Sequence, residues 1–369
     1  MGNICGVVNP ADLTEVYLFN ELTPSRYAYT GFVCDRHNPG YDNGVHGHKG
    51  KQLPGNYNIF YFVAADTQIS TPQHTYLARA TYDQATNLIS VVYKELPQTS
   101  TQQIPLPNQL DVMADGTVLL PVGGTTQTAG DFNIIKVTNT LALDPASWTA
   151  TTYTFNDGGQ ATSGSFCIAI AGNYGYTVIR TLVNGTYKHY VAGFHIDLMM
   201  YTDKVQIWSG EDPAQMPVNM EYVTVANQLV LIDQSGDANC PALISITPST
   251  YAIRYNALQS TGGLTGELAV ATDATDCRTI ERYNRTPLGN PLRRYTHGLP
   301  TGTWAYQSVI TMAQPQSQPQ HFDYESMVSF GWFTAYGTIA ADGKVRSNGA
   351  DTDITFPAQH YALCTGGPR

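Results

Sequence analysis

Residues 110–155 read LDVMADGTVLLPVGGTTQTAGDFNIIKVTNTLALDPASWTATTYTF, and this stretch decides the fold. Asp115-Gly116 stands between two short apolar runs, which is a strong signal for a tight β-hairpin. A Gly- and Thr-rich loop then leads to a β-branched strand at 132–138, and a further strand follows at 149–155. The stretch therefore predicts a unit of short antiparallel strands.

The same order of strands recurs along the chain. The best units span 56–96, 110–155, 166–208 and 220–258. Central residues of their first strands are 59, 59 and 52 positions apart: Phe60, Leu119, Val178 and Val230. Those of the second strands are 58, 59 and 50 apart: Leu77, Ile135, Phe194 and Ile244. A sustained period near fifty residues, with several short strands in each period, is typical of a β-propeller.

We therefore expect residues 1–369 to form a single all-β, β-propeller-like domain. It would have about five to seven blades of three to four antiparallel strands, with 1–55 and 261–369 as closing or irregular blades. N-terminal strands that complete the last C-terminal blade would close the ring and remove its open edges. The alternative is two β-sandwiches or a double jelly roll, because frequent turns between short strands describe those folds equally.

Composition limits the functions available. The chain is 42% hydrophobic, so it can bury a large core, but only 13% of its residues are charged, about half the usual share. Such a polar, weakly charged surface is common in secreted proteins and virion components. The net charge of −10 argues against nonspecific nucleic-acid binding and against docking on anionic membranes. No run of 18 apolar residues exists, which predicts no membrane insertion.

The N-terminal sequence lacks the basic region and apolar stretch of a signal peptide, which predicts synthesis in the cytoplasm without one. The six cysteines include no CxxC pair, which favours buried thiols. A disulfide from Cys5 or Cys34 to Cys364, clipping the chain ends together, is the alternative.

A first candidate site is the segment His46-Gly47-His48, which places two imidazoles two positions apart with Asp42 nearby. Histidine and carboxylate ligands together suit zinc or iron. No third spaced histidine completes the set, so a glycine-rich surface loop is the alternative. We predict no cofactor elsewhere in the chain.

A second candidate site is cationic and falls within seventeen positions: Arg278, Arg282, Arg285, Arg293 and Arg294. Guanidinium groups bind carboxylates and phosphates in a fork geometry, so this cluster could bind an acidic sugar or an acidic partner. The alternative is local pairing with Asp273, Asp276 and Glu281.

Tyrosine is abundant, with 24 copies, and loops and strand ends carry many of them. Tyr174, Tyr176 and Tyr187 are candidate ligand-binding residues, because tyrosine offers rigid amphipathic contact area for proteins or sugars. The alternative is that strands favour tyrosine in any case.

Signatures of catalysis are sparse. Asp323 with Glu325 and Asp351 with Asp353 are two apart, so on a strand each pair shares a face at roughly 6–7 Å, a spacing that glycosidases use. No GxSxG elbow, P-loop or GxGxxG after a strand occurs. The phrase Ala114 to Val118, with Trp148 later, is similar to blades of sialidase-type propellers. Their Ser-x-Asp-x-Gly-x-x-Trp motif is not met, so that resemblance implies no catalytic residue.

In its low charge, polar surface and absence of catalytic motifs, the chain resembles the attachment, spike and propeller-containing tail proteins of viruses that infect microbes. That resemblance implies a non-enzymatic virion component, located on the virion or outside the cell. It would bind a host-surface glycan or protein, contact other virion proteins and form a homo-oligomer. One alternative is a secreted propeller glycosidase or lyase acting on polysaccharide. Another is a capsid or decoration protein built as a double jelly roll.

Overall fold

The structure is a computed structural model of the 369-residue chain. It describes residues 4–8, 16–20, 27–29, 51–66, 75–83, 88–97, 103–105, 110–124, 129–210, 217–233, 241–258, 268–272, 277–282, 290–298, 303–312, 337–339, 344–347, 350–355 and 363–364.

Regular structure in these residues is almost entirely β-strand. The strands of the first part of the chain are β1 Ile4–Val8, β2 Val16–Asn20, β3 Tyr27–Tyr29, β4 Lys51–Leu53, β5 Asn56–Asp66, β6 Thr75–Asp83, β7 Leu88–Glu95, β8 Gln103–Pro105, β9 Asp111–Val112, β10 Val118–Gly124, β11 Ala129–Thr138, β12 Thr149–Ala171, β13 Tyr174–Val183 and β14 Thr186–His195. Those of the second part are β15 Met200–Gly210, β16 Pro217–Val223, β17 Gln228–Asp233, β18 Pro241–Thr247, β19 Ala252–Leu258, β20 Leu268–Thr272, β21 Cys277–Arg282, β22 Asn290–Gly298, β23 Thr303–Met312, β24 Gly337–Ile339, β25 Lys344–Ser347, β26 Ala350–Thr355 and β27 Leu363–Cys364. Two single turns of 3-10 helix, Pro145–Ser147 and Thr224–Ala226, complete the described elements.

Successive strands pair with their neighbours in the sequence, so the sheets follow one another in chain order. One sheet runs β3-β5-β6-β7 with β4 also paired to β5, another runs β16-β17-β18-β19, and a third runs β20-β21-β22-β23. Between the first two lies the path β15-β14-β13-β12-β11-β10-β8, with β9 paired to β10. Shorter sheets consist of β24-β25-β26 and of β2-β1-β27.

Strand β12 shows how one sheet leads into the next. Its first half pairs with β11 from Thr149 to Asn156 and forms the far edge of the β10–β11 unit. Its second half pairs with β13 as far as Ala171 and forms the opening edge of the β13–β15 unit. A chain that leaves one four-stranded sheet at its far edge and enters the next at its near edge produces the radial repetition of a propeller.

The fold is therefore all-β and β-propeller-like, as the repeat predicted. The described sheets contain no Greek-key crossing, so the two-sandwich and double jelly roll alternatives are wrong. The ends of the chain also meet, because β1 pairs in parallel with β27 through Gly6 opposite Leu363 and Val7 opposite Cys364. The edge of β1 that faces β27, and the edge of β27 that faces β1, are therefore both paired.

The predicted hairpin turns have the backbone that their sequences require. Gly116 has φ of 84°, and the Asp115 carboxylate accepts the Thr117 amide at 2.8 Å across the turn. Asn184 and Gly185 have φ of 51° and 79° between the paired strands β13 and β14. Two successive positive φ values match the right-handed twist of a hairpin, which explains the Asn-Gly pair.

Alternate residues of each strand face different neighbouring sheets. On one face of β10 and β11, apolar residues pack with the β4–β7 sheet: Val118, Leu120, Val122, Ile135 and Val137 with Leu53, Tyr61, Leu77 and Leu96. On the opposite face, residues pack with the next unit: Leu119, Phe132 and Ile134 with Ile168, Ile179, Ala192 and Phe194. A third cluster joins that unit to the β16–β19 sheet: Cys167, Tyr176, Val178 and Val191 with Met220, Leu229, Leu231 and Ile244. Because successive side chains of a strand point to opposite faces of the sheet, each of these sheets has a buried apolar layer on both faces.

Among the described residues, none belongs to a helix with the length and apolarity needed to span a bilayer.

Candidate functional site

Strands from three of the described sheets converge at one place. Strands β4 and β9 contact each other, β9 contacts β12, and β12 contacts β16. In a propeller these are the inner strands, which surround the central axis. Side chains from distant parts of the chain therefore meet there.

Lys51 lies at this convergence, between two carboxylates. Its Nζ is 2.5 Å from Glu221 Oε2 and 3.7 Å from Asp111 Oδ1. The three residues come from β4, β16 and β9, so three separate sheets supply the cluster. The side chains of Lys51, Asp111 and Glu221 are only 11, 16 and 9% exposed, which limits screening of their charges by solvent.

Backbone amides fix the orientation of Asp111. The Val112 amide donates to Oδ1 at 2.9 Å, and the Ile170 amide donates to Oδ2 at 2.8 Å. Because Ile170 lies on β12, Asp111 also ties a fourth strand to the cluster. Both of its oxygens are engaged, so Asp111 is suited to positioning Lys51, whereas Glu221 contacts the ammonium group through Oε2.

The geometry is compatible with acid–base chemistry on a polar substrate. Both carboxylates approach one nitrogen, so Oε2 of Glu221 and Oδ1 of Asp111 lie at most about 6 Å apart (2.5 Å plus 3.7 Å). Paired carboxylates at such distances serve glycoside cleavage. A partly buried ammonium beside a carboxylate can also bind a substrate anion next to a proton acceptor.

Sequence reasoning missed all three residues. Lys51 sits beside the candidate histidine loop, and Asp111 begins the hairpin quoted above, but neither belongs to a motif. Glu221 is 170 positions from Lys51. Lys51 precedes the first predicted unit, 56–96, so no pattern in the sequence groups it with Asp111 and Glu221.

The predicted tyrosines have different environments. Tyr174 is 42% exposed, and its ring packs edge-on against His195 with centroids 5.1 Å apart. Tyr176 is 3% exposed and belongs to the core, where burial raises the pKa of its hydroxyl, so it does not offer a contact surface. Tyr187 is half-buried beneath Arg180, whose guanidinium carbon lies 5.3 Å from its ring centroid. The structure does not bring the three rings into one site.

Four of the five predicted arginines lie in two paired strands: Arg278 and Arg282 in β21, and Arg293 and Arg294 in β22. Backbone pairing sets position 293 opposite Glu281. Because strand positions alternate between faces, positions 278, 282 and 294 share one face of the sheet and position 293 occupies the other. Arg285 is outside the described residues, and ligand binding by this cluster stays a prediction.

Several other predicted residues fall outside the described part of the chain: His46, His48, Asp323 and Glu325. Asp351 and Asp353 both lie in β26, two positions apart. Within the described ranges, no group of three or more His, Cys, Asp or Glu side chains could hold a metal ion. The metal site at His46 and His48 remains a prediction.

A second partly buried ion pair, between Lys204 and Asp157, lies away from β4, β9 and β16. Lys204 Nζ, on β15, is 2.6 Å from Oδ2 of the fully buried Asp157 and 4.8 Å from the Tyr190 ring centroid. Burial raises the pKa of nearby Tyr201 to about 12. This pair, between β12 and β15, provides a comparison for the cluster of Lys51, Asp111 and Glu221.

No protein-family profile matches the chain, and no curated protein matches it in sequence. Solved structures match its fold. An oligogalacturonate lyase of Vibrio parahaemolyticus matches with 10% identity and a TM-score of 0.47, over 99% of this chain and 85% of the other. An ulvan lyase of polysaccharide lyase family PL25, bound to -[GlcA(1-4)Rha3S]-, matches with 10% identity and a TM-score of 0.47, over 86% and 79%. A 6-phosphogluconolactonase-like protein of Bacteroides fragilis matches with 10% identity and a TM-score of 0.48, over 98% and 95%.

These matches correct two predictions. None of the three is a tail or spike protein of a virus that infects microbes, so the resemblance to those proteins is wrong. The prediction of a non-enzymatic protein is corrected likewise, because the similar structures are named as enzymes. At this identity the likeness concerns the fold and assigns no residue of this chain a role.

Proposed function

We propose that this protein is a propeller enzyme that cleaves an acidic polysaccharide, as a polysaccharide lyase, with its active site at Lys51, Asp111 and Glu221. The observation that carries the proposal is the position of the Lys51 ammonium between two carboxylates from different sheets at the inner strand edges. A fold requires no charge there, because apolar side chains of similar volume would fill the space at comparable stability.

The proposed chemistry is β-elimination next to a uronate carboxylate. Lys51 pairs with the sugar carboxylate and stabilises the negative charge that develops when the adjacent C–H bond breaks. Glu221 accepts that proton as general base. The electron pair forms a carbon–carbon double bond, the bond to the glycosidic oxygen breaks, and that oxygen takes up a proton from water, to which Glu221 later returns the proton that it accepted. Asp111 holds Lys51 in place throughout.

Glycoside hydrolysis is the second candidate, because the two carboxylates lie within about 6 Å of each other. In that case one carboxyl protonates the leaving oxygen and the other attacks the sugar as a nucleophile, because the separation is too short for the water of an inverting enzyme. Lys51 then serves only to orient the carboxylates.

The proposal is tested by incubating the purified protein with three polymers: polygalacturonate, a glucuronate–rhamnose-3-sulfate polymer and a neutral polysaccharide. A lyase produces an unsaturated uronate, seen as ultraviolet absorbance, and new reducing ends in equal number. Reducing ends without absorbance indicate the hydrolase, and no product from any acidic polymer contradicts both.

Variants localise the activity. Lys51→Met and Glu221→Gln should each lower kcat/KM by at least about a hundredfold, as is usual for acid–base and charge-stabilising groups. Lys204→Met is the matched control, because it breaks a comparably short ion pair away from the inner strands. Loss of activity in Lys204→Met alone would place the site elsewhere.

The substrate would be met outside the cell, so we also propose an extracellular location and a glycan as the main partner. Of the predicted partners, a glycan therefore remains in the proposal and the other virion proteins do not. The capsid alternative depended on a jelly roll, which the fold does not have. Homo-oligomer formation stays a prediction.

A further inference from the structure

An open cavity of about 540 Å³ lies at the outer edge of two neighbouring sheets. It is lined by Lys94, Glu95, Leu96, Pro97, Trp148, Thr149 and Ala150. Strand β7 supplies one wall and the start of β12 the other, so the cavity is remote from the inner strand edges that hold Lys51. Its volume is within the range of small-ligand sites, about 300–1,000 Å³.

The floor of this cavity is held rigidly. Trp148 is 2% exposed, and its indole nitrogen donates to the Ala142 carbonyl oxygen at 3.1 Å. The guanidinium carbon of the buried Arg79 lies 5.4 Å from the Trp148 ring centroid. Arg79 in turn donates to the carbonyl oxygens of Thr140 and Ala142. Ligand binding therefore requires no ordering of the floor, which lowers its entropic cost.

Polar groups surround an apolar base. Leu96, Pro97 and Ala150 join Trp148 in the apolar part, while Lys94 is half-exposed and Thr149 and Glu95 are exposed. Sugar rings have the complementary character, with apolar C–H faces and polar hydroxyl edges. The lining carries one charge of each sign, Lys94 and Glu95, and the Lys94 ammonium group can pair with an anionic group on the sugar.

We propose that this cavity is a second carbohydrate-binding site, in which Lys94 pairs with a carboxylate or sulfate group of an acidic sugar unit. Thr149 exchanges hydrogen bonds with the hydroxyl groups, and the partly exposed Pro97 and Ala150 contact the ring above the buried Trp148. The inference rests on the proposed function for its ligand class, since the same acidic polymer would reach both sites. A remote site of this kind raises affinity for a long polymer by supplying a second attachment point.

Affinity electrophoresis in gels containing polygalacturonate measures this binding, with dextran gels as the neutral reference. The wild-type protein should be retarded by the acidic polymer only, and Lys94→Met should weaken the retardation about fivefold. Lys188→Met is the matched control, because Lys188 is partly exposed like Lys94 but lies on β14, outside the cavity. Both variants change the charge by one unit, so a difference between them reports the site.

Equal retardation of Lys94→Met and Lys188→Met, or no retardation of the wild type, would overturn the proposal. Competition by galacturonic acid but not by equimolar sulfate supports sugar recognition, and equal competition by both contradicts it. Turnover of a short oligosaccharide should be unchanged in Lys94→Met. If retardation depends on Lys94 but no cleavage product forms, the proposed lyase is contradicted and this binding site stands. If product forms but retardation does not depend on Lys94, the lyase stands and this binding site is contradicted.

Discussion

The Lys51 Nζ lies 2.5 Å from Glu221 Oε2, although 170 positions of sequence separate the two residues. The contact joins the β4–β7 sheet to the β16–β19 sheet, which are not neighbours in chain order. Since Asp111 accepts from Ile170 on β12, the cluster links the inner edges of four strands. One ammonium group therefore connects the sheets at the place where we propose the active site.

Removal of one partner of this ion pair should destabilise the protein. Lys51→Met leaves two carboxylates without their cation in a partly buried environment, so we expect a loss of roughly 2–4 kcal/mol in the free energy of unfolding. The Lys51→Met/Glu221→Met double variant should recover much of that loss, because no unpaired glutamate remains. Urea denaturation of the two single variants and the double variant measures the coupling. Additive losses would show that the pair contributes no interaction energy.

His189 should make the stability fall in acid. It is fully buried, and burial, assisted by the nearby Arg180, lowers its pKa to about 3 from the usual 6.5. The unfolded chain binds a proton below pH 6.5 and the folded chain does not until about pH 3, so stability present above pH 6.5 is lost as the pH falls through this window. The full slope is about 1.4 kcal/mol per pH unit, or roughly 5 kcal/mol in all.

His189→Phe tests this dependence, because its ring can still pack on Trp208, whose centroid is 4.8 Å away. Urea titrations between pH 7 and pH 4 should show a shallower decline for the variant than for the wild type. Parallel curves would mean that another group titrates in this range. His195→Phe, which changes a partly exposed histidine, serves as the control.

Gly193 should not tolerate a side chain. A β-carbon there would overlap the Tyr251 hydroxyl and lie 2.9 Å from Thr202 Oγ1. Tyr251 reaches over from the β18–β19 turn and exchanges a 2.9 Å hydrogen bond with Thr202. We expect Gly193→Ala to lower the melting temperature by several degrees, equivalent to about 1–3 kcal/mol. Tyr251→Phe removes the obstructing oxygen and should restore part of the loss in Gly193→Ala, whereas no restoration would locate the strain in the backbone.

Replacement of Arg79 by lysine should destabilise the protein. It is 4% exposed, and one terminal nitrogen donates to two carbonyl oxygens while the guanidinium packs on Trp148. Burial lowers its pKa, although the Tyr61 hydroxyl nearby acts in the opposite direction. Lysine lacks the planar fork and the stacking face, so Arg79→Lys and Arg79→Met should both destabilise by roughly 2–4 kcal/mol in urea denaturation. A stable Arg79→Lys protein would show that charge alone suffices.

Much of the fold was predictable because its causes are local. The Asp115-Gly116 and Asn184-Gly185 turns need left-handed backbone, and glycine, asparagine and aspartate supply it at little cost. Strand alternation was equally visible, since Leu119 and Leu120 pack in different core clusters. The tyrosine prediction was weaker, because the buried Tyr176 and the exposed Tyr174 lie on the same strand and have the same sequence signature.

The sequence by itself determined the all-β class, the period of the repeat and the position of the turns, because hydrophobic alternation and turn chemistry act over a few residues. Only the tertiary structure decided that Lys51, Asp111 and Glu221 share one site and that Lys94 and Trp148 line another. Those groupings depend on which strand edges meet when successive sheets pack together. Pairwise proximity between residues 170 positions apart arises from that packing, and no local propensity encodes it.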